Sequence, residues 1–268
     1  MMKEALLKTL SEYCRLGIPQ QLDYSKFYLY SIITHSTAIE GSTVTEVENQ
    51  LLFDEGITSN KRSLREQLMN LDLKNAYALS NRFIKEKRNF SLPMLRELSA
   101  AVMKNTGSIY NTLQGSFDSS SGDFRKLNVS AGTGGRSYLS FTKIEDRLTK
   151  WCQEINARRS SLFSNPEIYE KYLFSFDAHF DLLTIHPWAD GNGRTSRLIM
   201  NHLQNELHVF PSKILKEDKA QYIQALIDSR EKENKAIFSS FMIRNHIKNL
   251  QLEIAEYKKS RETQDLQR

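Results

Sequence analysis

The stretch "TIHPWADGNGRTSRLIMN", residues 184–201, joins two helical patterns through a loop that is rich in polar residues and glycine. The preceding segment, "NPEIYEKYLFSFDAHFDLLTI", is almost continuously apolar, which predicts a central, buried helix. Because the residue before a proline disfavours helical geometry, His186-Pro187 marks the end of that helix. A second helix begins in "RTSRLIMNHLQNEL". The sequence therefore predicts two consecutive helices with a cluster of polar side chains at their junction.

Helical patterns fill most of the remaining chain. The segment "KFYLYSIITHSTAI" is followed by Gly41 at a natural helix end. Thr45 and Glu48 have the spacing of a capping box, and Ser91 is placed to cap another helix. Only 11 glycines and 5 prolines occur in 268 residues. These features predict an all-α fold.

One segment, residues 116–141, lacks this helical pattern, because serine and glycine are clustered in it. Apolar residues alternate with polar ones before "GTGG" (132–135), which predicts a short β-hairpin with a turn at the glycines. The apolar residues on its two sides are Leu127, Val129, Ala131, Tyr138, Leu139 and Phe141. A phosphate-binding loop is a weaker interpretation of "GTGGRS", because the Gly-x4-Gly-Lys-Ser/Thr spacing is missing.

The composition is that of an ordinary globular protein. The net charge of +5 is spread over runs of mixed sign, so we expect neither a nucleic-acid nor a membrane partner. Cys14 and Cys152 are far apart, which predicts no disulfide framework and no zinc site. We find no signal peptide and no stretch long enough to span a membrane, and therefore expect a cytoplasmic protein.

The loop at the helix junction has the composition of an anion site. Gly191, Asn192 and Gly193 precede a helix start, where backbone N–H groups are unpaired and the helix dipole is positive. Arg194 and Arg197 lie three residues apart, on one face of that helix. Two arginines and a helix start provide more positive charge than a single carboxylate needs. We therefore predict a polyphosphate ligand.

Two further residues complete the predicted chemistry. Asp190 borders the anion site, where its charge would repel phosphate unless a cation such as Mg²⁺ lay between them. His186 titrates near neutrality and is placed to accept a proton from an attacking hydroxyl group. Together these residues predict metal-assisted transfer from a nucleotide. The other histidines, His179, His202, His208 and His246, lack metal-ligand spacing and are interpreted as packing or surface residues, and His35 is left unassigned.

The motif "HPWADGNGRTSR" resembles the Fic family signature His-Pro-Phe-x-x-Gly-Asn-Gly-Arg-x-x-Arg, with Trp188 in place of phenylalanine. The flanking "AHFDLLTI" and "YIQALIDSREKENKAIFSSFM" are similar to family context as well. Fic proteins are compact helical domains, and most members with Gly-Asn-Gly transfer AMP from ATP to a hydroxyl side chain of a target protein. The resemblance thus implies a protein adenylyltransferase that uses ATP and Mg²⁺.

The resemblance also implies individual roles. His186 is the expected general base for a target Ser, Thr or Tyr, and Asp190 is the expected magnesium ligand. The expected nucleotide-binding residues are Gly191, Asn192, Gly193, Arg194, Arg197 and, beside the base, Tyr222. Many relatives have a second tyrosine where this chain has Ile223, so the nucleotide base is left open.

Two other segments match family features. "STAIEG", residues 36–41, resembles the inhibitory pattern Ser/Thr-x-x-x-Glu-Gly/Asn, which implies inhibitory roles for Ser36, Glu40 and Gly41. Glu40 would pair with Arg197 and so remove a ligand of the γ-phosphate. The hairpin corresponds to the family's flap, which holds the target by strand addition. The expected target-binding residues are Leu127, Asn128, Val129, Ser130 and Ala131.

We expect three segments: an N-terminal helical extension (1–25), a Fic domain (26–245) whose inhibitory helix spans 26–41, and a charged helical tail (246–268). Alternative functions are transfer of another nucleotide, removal of AMP, or nucleotide sensing without catalysis. The phosphotransferase branch of the family replaces the glycines of Gly-Asn-Gly, so Gly191 and Gly193 argue against that activity. The expected partners are a target protein and, through self-modification, the chain itself. The sequence gives no oligomeric state.

Overall fold

The computed structural model describes residues 1–131, 135–164 and 167–265. This part of the chain confirms the predicted all-α class, since ten α-helices and a single two-stranded sheet are its main elements. The helices are α1 (Met2–Arg15), α2 (Tyr24–Ile39), α3 (Glu46–Asp54), α4 (Leu64–Lys85), α5 (Leu92–Met103), α6 (Ile144–Phe163), α7 (Ile168–Ile185), α8 (Asn192–Glu206), α9 (Lys219–Glu231) and α10 (Ala236–Asp265).

The predicted helix starts follow from side-chain caps. The Thr45 hydroxyl accepts the Glu48 amide, and the Glu48 carboxylate accepts the Thr45 amide, so the capping box is confirmed. The Ser91 hydroxyl accepts the Met94 amide at the start of α5. A second capping box, Ser63 with Glu66, starts α4. These caps fix where α3, α4 and α5 begin. They therefore also fix how much of each helix can pack against the core.

Helix α7 lies at the centre of the molecule, as its apolar sequence predicts. Phe174, Ala178, Leu182 and Ile185 pack into one hydrophobic cluster. On other sides of the helix, Tyr172, Phe176 and Phe180 pack into a second cluster. Helix α8 packs along α7 and also contributes to both clusters. The loop between α7 and α8 is therefore held by the most deeply packed pair of helices.

Buried polar contacts anchor helix α2, which carries the "STAIEG" pattern near its C-terminal end. The Thr37 hydroxyl donates to Asn70 Oδ1 on α4 at 2.7 Å. Asn49 on α3 donates from Nδ2 to both Thr34 Oγ1 (2.7 Å) and Asn70 Oδ1 (2.9 Å). Since these groups are buried, their hydrogen bonds fix the rotation of α2 about its axis.

The regular sheet lies upstream of the hairpin that the sequence predicts. Strands β1 (Ile109–Thr112) and β2 (Gly115–Asp118) pair antiparallel, with Ile109 opposite Asp118. The rings of Tyr110 and Phe117 stack across the pair at 4.9 Å. This sheet was missed because each strand has only four residues and its connection lacks the Asn-Gly or Asp-Gly turn signal.

The predicted flap also reverses direction, although its pairing is short. Ser130 forms an antiparallel bridge with Ser137, the Ala131 amide donates to Arg136 O (3.2 Å), and the Tyr138 amide donates to Val129 O (3.0 Å). The predicted turn at 132–134 lies outside the described residues. Paired backbone is thus present on both sides of the turn, as a single bridge instead of regular strands.

The predicted terminal segments pack into the body of the fold. Leu6 and Tyr13 of α1 share a hydrophobic cluster with Phe176 of α7 and Ile254 of α10. Helix α10 runs without a break through the boundary expected at residue 246, and α2 begins at Tyr24, before the expected start. Among the helices of the described ranges, none is long and apolar enough to cross a bilayer.

Candidate functional site

The loop between α7 and α8 is rigidly built. Trp188 is fully buried, and its Nε1 donates to Gly122 O at 3.2 Å. The Asn192 side chain brackets the same tryptophan, because its Oδ1 accepts the Trp188 amide (3.1 Å) and its Nδ2 donates to Trp188 O (2.8 Å). Both polar atoms of the Asn192 side chain are therefore used within the loop. An anion at this site would bind backbone amides and not this side chain. Trp188 fills the position of the family's phenylalanine as a core residue.

The two glycines allow close approach at the start of α8. Gly191 has a left-handed φ of +78°, and a Cβ there would lie 2.6 Å from Met103 Sδ. A Cβ on Gly193 would lie only 2.3 Å from Glu40 Oε1 and 3.0 Å from Arg197 Nη1. The Glu40 carboxylate therefore sits against the first turn of α8. The predicted anion site is thus in contact with an anion supplied by the chain itself.

Three hydrogen bonds join Arg197 to the C-terminal end of α2. Its Nε donates to Ser36 Oγ (2.8 Å), and its Nη2 donates to both Ser36 O (2.9 Å) and Glu40 Oε1 (2.6 Å). Arg197 is 3% exposed, so this guanidinium is removed from water. The structure therefore brings together Ser36, Glu40 and Arg197, which the sequence places 157 to 161 residues apart.

The charges of this pair stabilise one another. Burial acts to raise the pKa of Glu40, but the positive charge and hydrogen bond of Arg197 outweigh it and hold that pKa below its usual value. Burial likewise acts to lower the pKa of Arg197, and the Glu40 carboxylate raises it overall. Both residues are therefore charged at neutral pH, and their contact is a true ion pair.

Arg194 is buried but incompletely paired. Its Nη2 donates to Met103 Sδ at 3.1 Å and lies 3.5 Å from Asp190 Oδ1. Its Nε and Nη1 are buried and have no hydrogen-bond partner among the residues that the structure describes. Burial lowers the pKa of Arg194, as expected for a cation that is poorly compensated. Unpaired donors on a buried cation are costly, and an anionic ligand would satisfy them.

Asp190 is the one carboxylate of the loop, and its side chain is 45% exposed. Its Oδ1 accepts the Gly191 amide at 2.6 Å. No group of three or more His, Cys, Asp or Glu residues suited to a metal occurs in the described residues. A single exposed carboxylate fits Mg²⁺ only if phosphate oxygens and water supply the other ligands, which is the usual arrangement for this ion.

His186 terminates α7 in a left-handed conformation (φ 52°, ψ 60°). Burial, assisted by the positive charge of Arg125, lowers the pKa of His186 to about 4. The imidazole is therefore neutral at physiological pH and able to accept a proton. Its ring stacks on Tyr138 of the flap, with centroids 4.0 Å apart and planes 19° apart. The flap thus covers one face of the residue expected to act as the base.

Arg125 is a residue of this site that the sequence interpretation missed. It is 1% exposed, and its Nε donates to the His186 carbonyl at 2.8 Å. Its backbone amide donates to Pro187 O at 2.9 Å. The only sequence signal was its position within the segment interpreted as non-helical, two residues before the predicted flap.

Backbone directions in the flap refine the predicted role of residues 127–131. The Leu127 carbonyl accepts Arg125 Nη1 (2.6 Å), and the backbone groups of Val129 and Ala131 bond toward the 136–138 segment. In an antiparallel bridge of this type, the backbone groups of Ser130 are directed to the opposite side. Asn128 and Ser130 therefore belong to the edge that is turned away from the 136–138 segment.

Tyr222 does not present a free ring face. It is 1% exposed, packs near His179 and Phe238, and its hydroxyl lies 3.0 Å from His179 Nε2. Its role beside the nucleotide base stays a prediction that would require neighbouring side chains to move. His179, His202 and His246 are buried, which agrees with their interpretation as packing residues, and His208 is exposed.

This arrangement can bind an anion and move a proton. The first turn of α8, the free donors of Arg194 and the guanidinium of Arg197 form a positive pole. A neutral imidazole stands at the other end of the same loop. In this structure the Glu40 carboxylate forms an ion pair with one of the two arginines, Arg197. The geometry suits phosphate chemistry, with that arginine paired to the Glu40 carboxylate.

Comparisons with known proteins agree with this interpretation. Residues 89–204 match the model of the Fic/DOC family. The chain is similar to Protein adenylyltransferase Fic of Drosophila persimilis, with 29% identity over 199 residues that cover 72% of this chain and 35% of the relative. For the Drosophila melanogaster protein of the same name, the identity is 28% over 199 residues, or 72% and 36% of the two chains. The chain spans about a third of the length of these curated relatives.

Solved structures show the same fold. A Fic domain containing signaling protein from Bacteroides thetaiotaomicron has a TM-score of 0.74 at 20% identity, covering 95% of this chain and 97% of that one. Fic-1 from C. elegans (residues 134–508) has a TM-score of 0.74 at 19% identity, covering 97% of this chain and 73% of that one. The motif, the family match and the shared fold agree. Residues 89–204 of this chain therefore form a domain of the Fic/DOC family.

Proposed function

We propose that the protein is an autoinhibited protein adenylyltransferase, which transfers AMP from ATP to a hydroxyl side chain of a target protein. One observation carries this proposal: the Glu40 carboxylate lies 2.6 Å from the buried Arg197 of α8, the helix that follows the loop beginning at His186. The similarity to proteins named adenylyltransferase supports the reaction class. The activity, target and partners of the much longer relatives enter here only as part of this proposal.

In the proposed reaction, His186 acts as the general base. Its neutral imidazole takes the proton of the target Ser, Thr or Tyr hydroxyl. The hydroxyl oxygen attacks the α-phosphorus of ATP, and the bond between the α-phosphorus and the bridging oxygen breaks. Pyrophosphate leaves, and AMP stays on the target through a phosphodiester bond.

The positive pole at α8 would bind the ATP phosphates. The amides of Asn192 and Gly193 and the unpaired Nε and Nη1 of Arg194 would be the donors for the inner phosphates, whereas the Gly191 amide donates to Asp190. Arg197 would bind the γ-phosphate once Glu40 leaves. Mg²⁺ bound to the phosphates would neutralise their charge, and Asp190 is the residue placed to hold it.

Asp190→Ala should weaken nucleotide binding only when magnesium is present. The Asp190 carboxylate repels the triphosphate directly and attracts it only through a bridging cation. The effect of removing it on ATP affinity should therefore have opposite signs with and without the metal. We expect ATP affinity to fall about tenfold in magnesium and to change little or rise in EDTA. Calorimetric titration measures ATP affinity in magnesium and in EDTA for wild type, Asp190→Ala and the shape-matched control Asp190→Asn. The same magnesium dependence in Asp190→Ala and wild type would exclude Asp190 as the ligand.

The flap would hold the target as an added strand along residues 127–131. Val129→Pro should impair this role, because its nitrogen would face the paired 136–138 segment, where a proline is poorly tolerated. We expect modification of the target to fall at least tenfold while ATP affinity stays near wild type. Val129→Ala, which keeps the amide, is the matched control. Equal loss of ATP binding and modification would instead indicate misfolding.

A second candidate reaction is removal of AMP from a modified protein. The observation that favours it is Glu40 itself, since a carboxylate fixed 2.6 Å from Arg197 is also able to align a water molecule for hydrolysis. Transfer of another nucleotide also stays open, because Tyr222 is buried and Ile223 is 40% exposed. A nucleotide-sensing protein without catalysis would bind ATP and never turn it over.

One experiment separates these functions. Purified Glu40→Gly is incubated with α-labelled ATP and a cell lysate, and labelled proteins are identified by mass spectrometry. The proposal expects hydroxyl side chains carrying AMP, on a target protein or on the chain itself. Labelling with UTP, CTP or GTP in preference to ATP would identify another nucleotidyl transfer. Loss of AMP from pre-modified proteins with wild type, and no gain with Glu40→Gly, would favour hydrolysis.

A further inference from the structure

Arg125 has an unusual set of partners for a buried cation. Its Nε donates to His186 O (2.8 Å), its Nη1 to Leu127 O (2.6 Å) and its Nη2 to Leu139 O (2.5 Å). All three acceptors are backbone carbonyls, and burial lowers the pKa of Arg125. A planar guanidinium holds its donors in a fixed fork, so the three carbonyls are held at fixed relative positions.

These carbonyls belong to two separate parts of the site. His186 ends α7, whereas Leu127 and Leu139 lie on the two arms of the flap. Leu139 directly follows Tyr138, whose ring stacks on the His186 imidazole at 4.0 Å. The Arg125 side chain therefore holds the backbone at His186 and next to Tyr138, the two residues whose rings stack. The left-handed backbone of His186 (φ 52°) is one that non-glycine residues rarely adopt, so its placement depends on such contacts.

We propose that Arg125 is a positioning residue that couples the flap to the general base, so that the flap's conformation sets the orientation of the His186 ring. This inference rests on the proposed function, because it gives His186 its role. It predicts that substitutions at Arg125 affect the flap and the imidazole together. They should leave the nucleotide pole at α8, which Arg125 does not contact, largely intact.

Two substitutions test the coupling in the 268-residue chain carrying Glu40→Gly. Arg125→Lys keeps the charge but places it on a single nitrogen that cannot reach all three carbonyls. Arg125→Gln removes the charge as well. Lys126→Met is the matched control, since Lys126 is exposed and its Nζ donates to Ser116 O of β2. Self-modification with α-labelled ATP, ATP affinity and thermal stability are measured for each.

Two further readouts do not depend on activity. Hydrogen exchange follows the Tyr138 amide, which donates to Val129 O. An NMR titration follows the imidazole of His186. We expect faster exchange at Tyr138 in both Arg125 variants, and a His186 pKa that rises toward its ordinary value in Arg125→Gln and stays low in Arg125→Lys. Transfer should fall about 10²-fold in both, as for a misplaced catalytic group, with ATP affinity within a few-fold of the Lys126→Met control.

The outcomes distinguish three cases. Unchanged exchange at Tyr138 and unchanged transfer in Arg125→Lys would overturn the coupling. Loss of ATP affinity and of exchange protection throughout the chain would also overturn it, because Arg125 would then serve general stability. If Glu40→Gly itself transfers no AMP, the proposed function fails, and the exchange and titration results alone decide whether Arg125 links the flap to His186.

Discussion

Glu40→Gly is expected to raise AMP transfer by at least about 10²-fold. Under the proposed function, the Glu40 carboxylate that pairs with Arg197 occupies the guanidinium that the γ-phosphate would need, so ATP would bind in a pose whose α-phosphate is poorly aligned for attack. Alignment of the reacting groups is worth roughly 7–11 kcal/mol of barrier in favourable cases, so recovering a fraction of it suffices. Self-modification with α-labelled ATP, followed over time, measures the change.

The same variant should respond differently to ATP in a thermal melt. Without Glu40, the buried Arg197 loses its anionic partner and keeps neutral ones, such as Ser36 and Tyr222, so Tm should fall in the absence of nucleotide. Bound ATP returns an anion to that guanidinium, and the ATP-induced rise in Tm should exceed that of wild type. Glu55→Gly, which removes an exposed acid at the end of α3, is the control. If Glu40→Gly and Glu55→Gly transfer AMP at the same rate, "STAIEG" is only a helix end.

His186→Ala is expected to lower transfer by about 10²- to 10⁴-fold, the usual effect of removing a general base. Because His186 has a left-handed backbone, alanine there carries a conformational cost. His186→Asn is therefore the better-matched variant, since asparagine tolerates that conformation and cannot act as the base. Both variants should keep ATP affinity, measured by calorimetry. Transfer at the rate of the parent in either variant would exclude His186 as the base.

The pH dependence follows from the lowered pKa of His186. Its folded pKa of about 4 lies below the ordinary value near 6.5, so the neutral base persists in the folded protein as pH falls through that interval. We expect the decline in transfer to be centred near pH 4. The unfolded chain binds a proton first, so the stability contributed by this group is present above pH 6.5 and is lost as pH falls toward 4.

Residue type and spacing predicted the local backbone geometry of the loop between α7 and α8. A glycine at a left-handed helix start, arginines on the next turn and a histidine before proline each have one dominant structural consequence. The contact between Glu40 and Arg197, which the inhibitory pattern predicts, is present at 2.6 Å. Its inhibitory role stays a proposal.

Other features depend on tertiary contacts that no local pattern encodes. Arg125 binds three backbone carbonyls, and nothing in "GDFRKL" shows which carbonyls will surround it. The short β1–β2 sheet has too few residues for a periodic signal. Tyr222 was matched by position to the nucleotide base, but its burial against His179 is set by the packing of α9 on α7 and α10. In each case the deciding neighbour is distant in sequence.

The central claim is tested most directly by comparing ATP labelled at the α-phosphate with ATP labelled at the γ-phosphate. Four versions of the 268-residue chain are used: wild type, Glu40→Gly, Glu40→Gly with His186→Ala, and Glu55→Gly. Transfer of AMP from an autoinhibited site predicts strong α-label incorporation in Glu40→Gly alone, with no γ-label in any chain. Incorporation of γ-label, or of α-label that is equal in wild type and Glu40→Gly or persists without His186, would contradict the account.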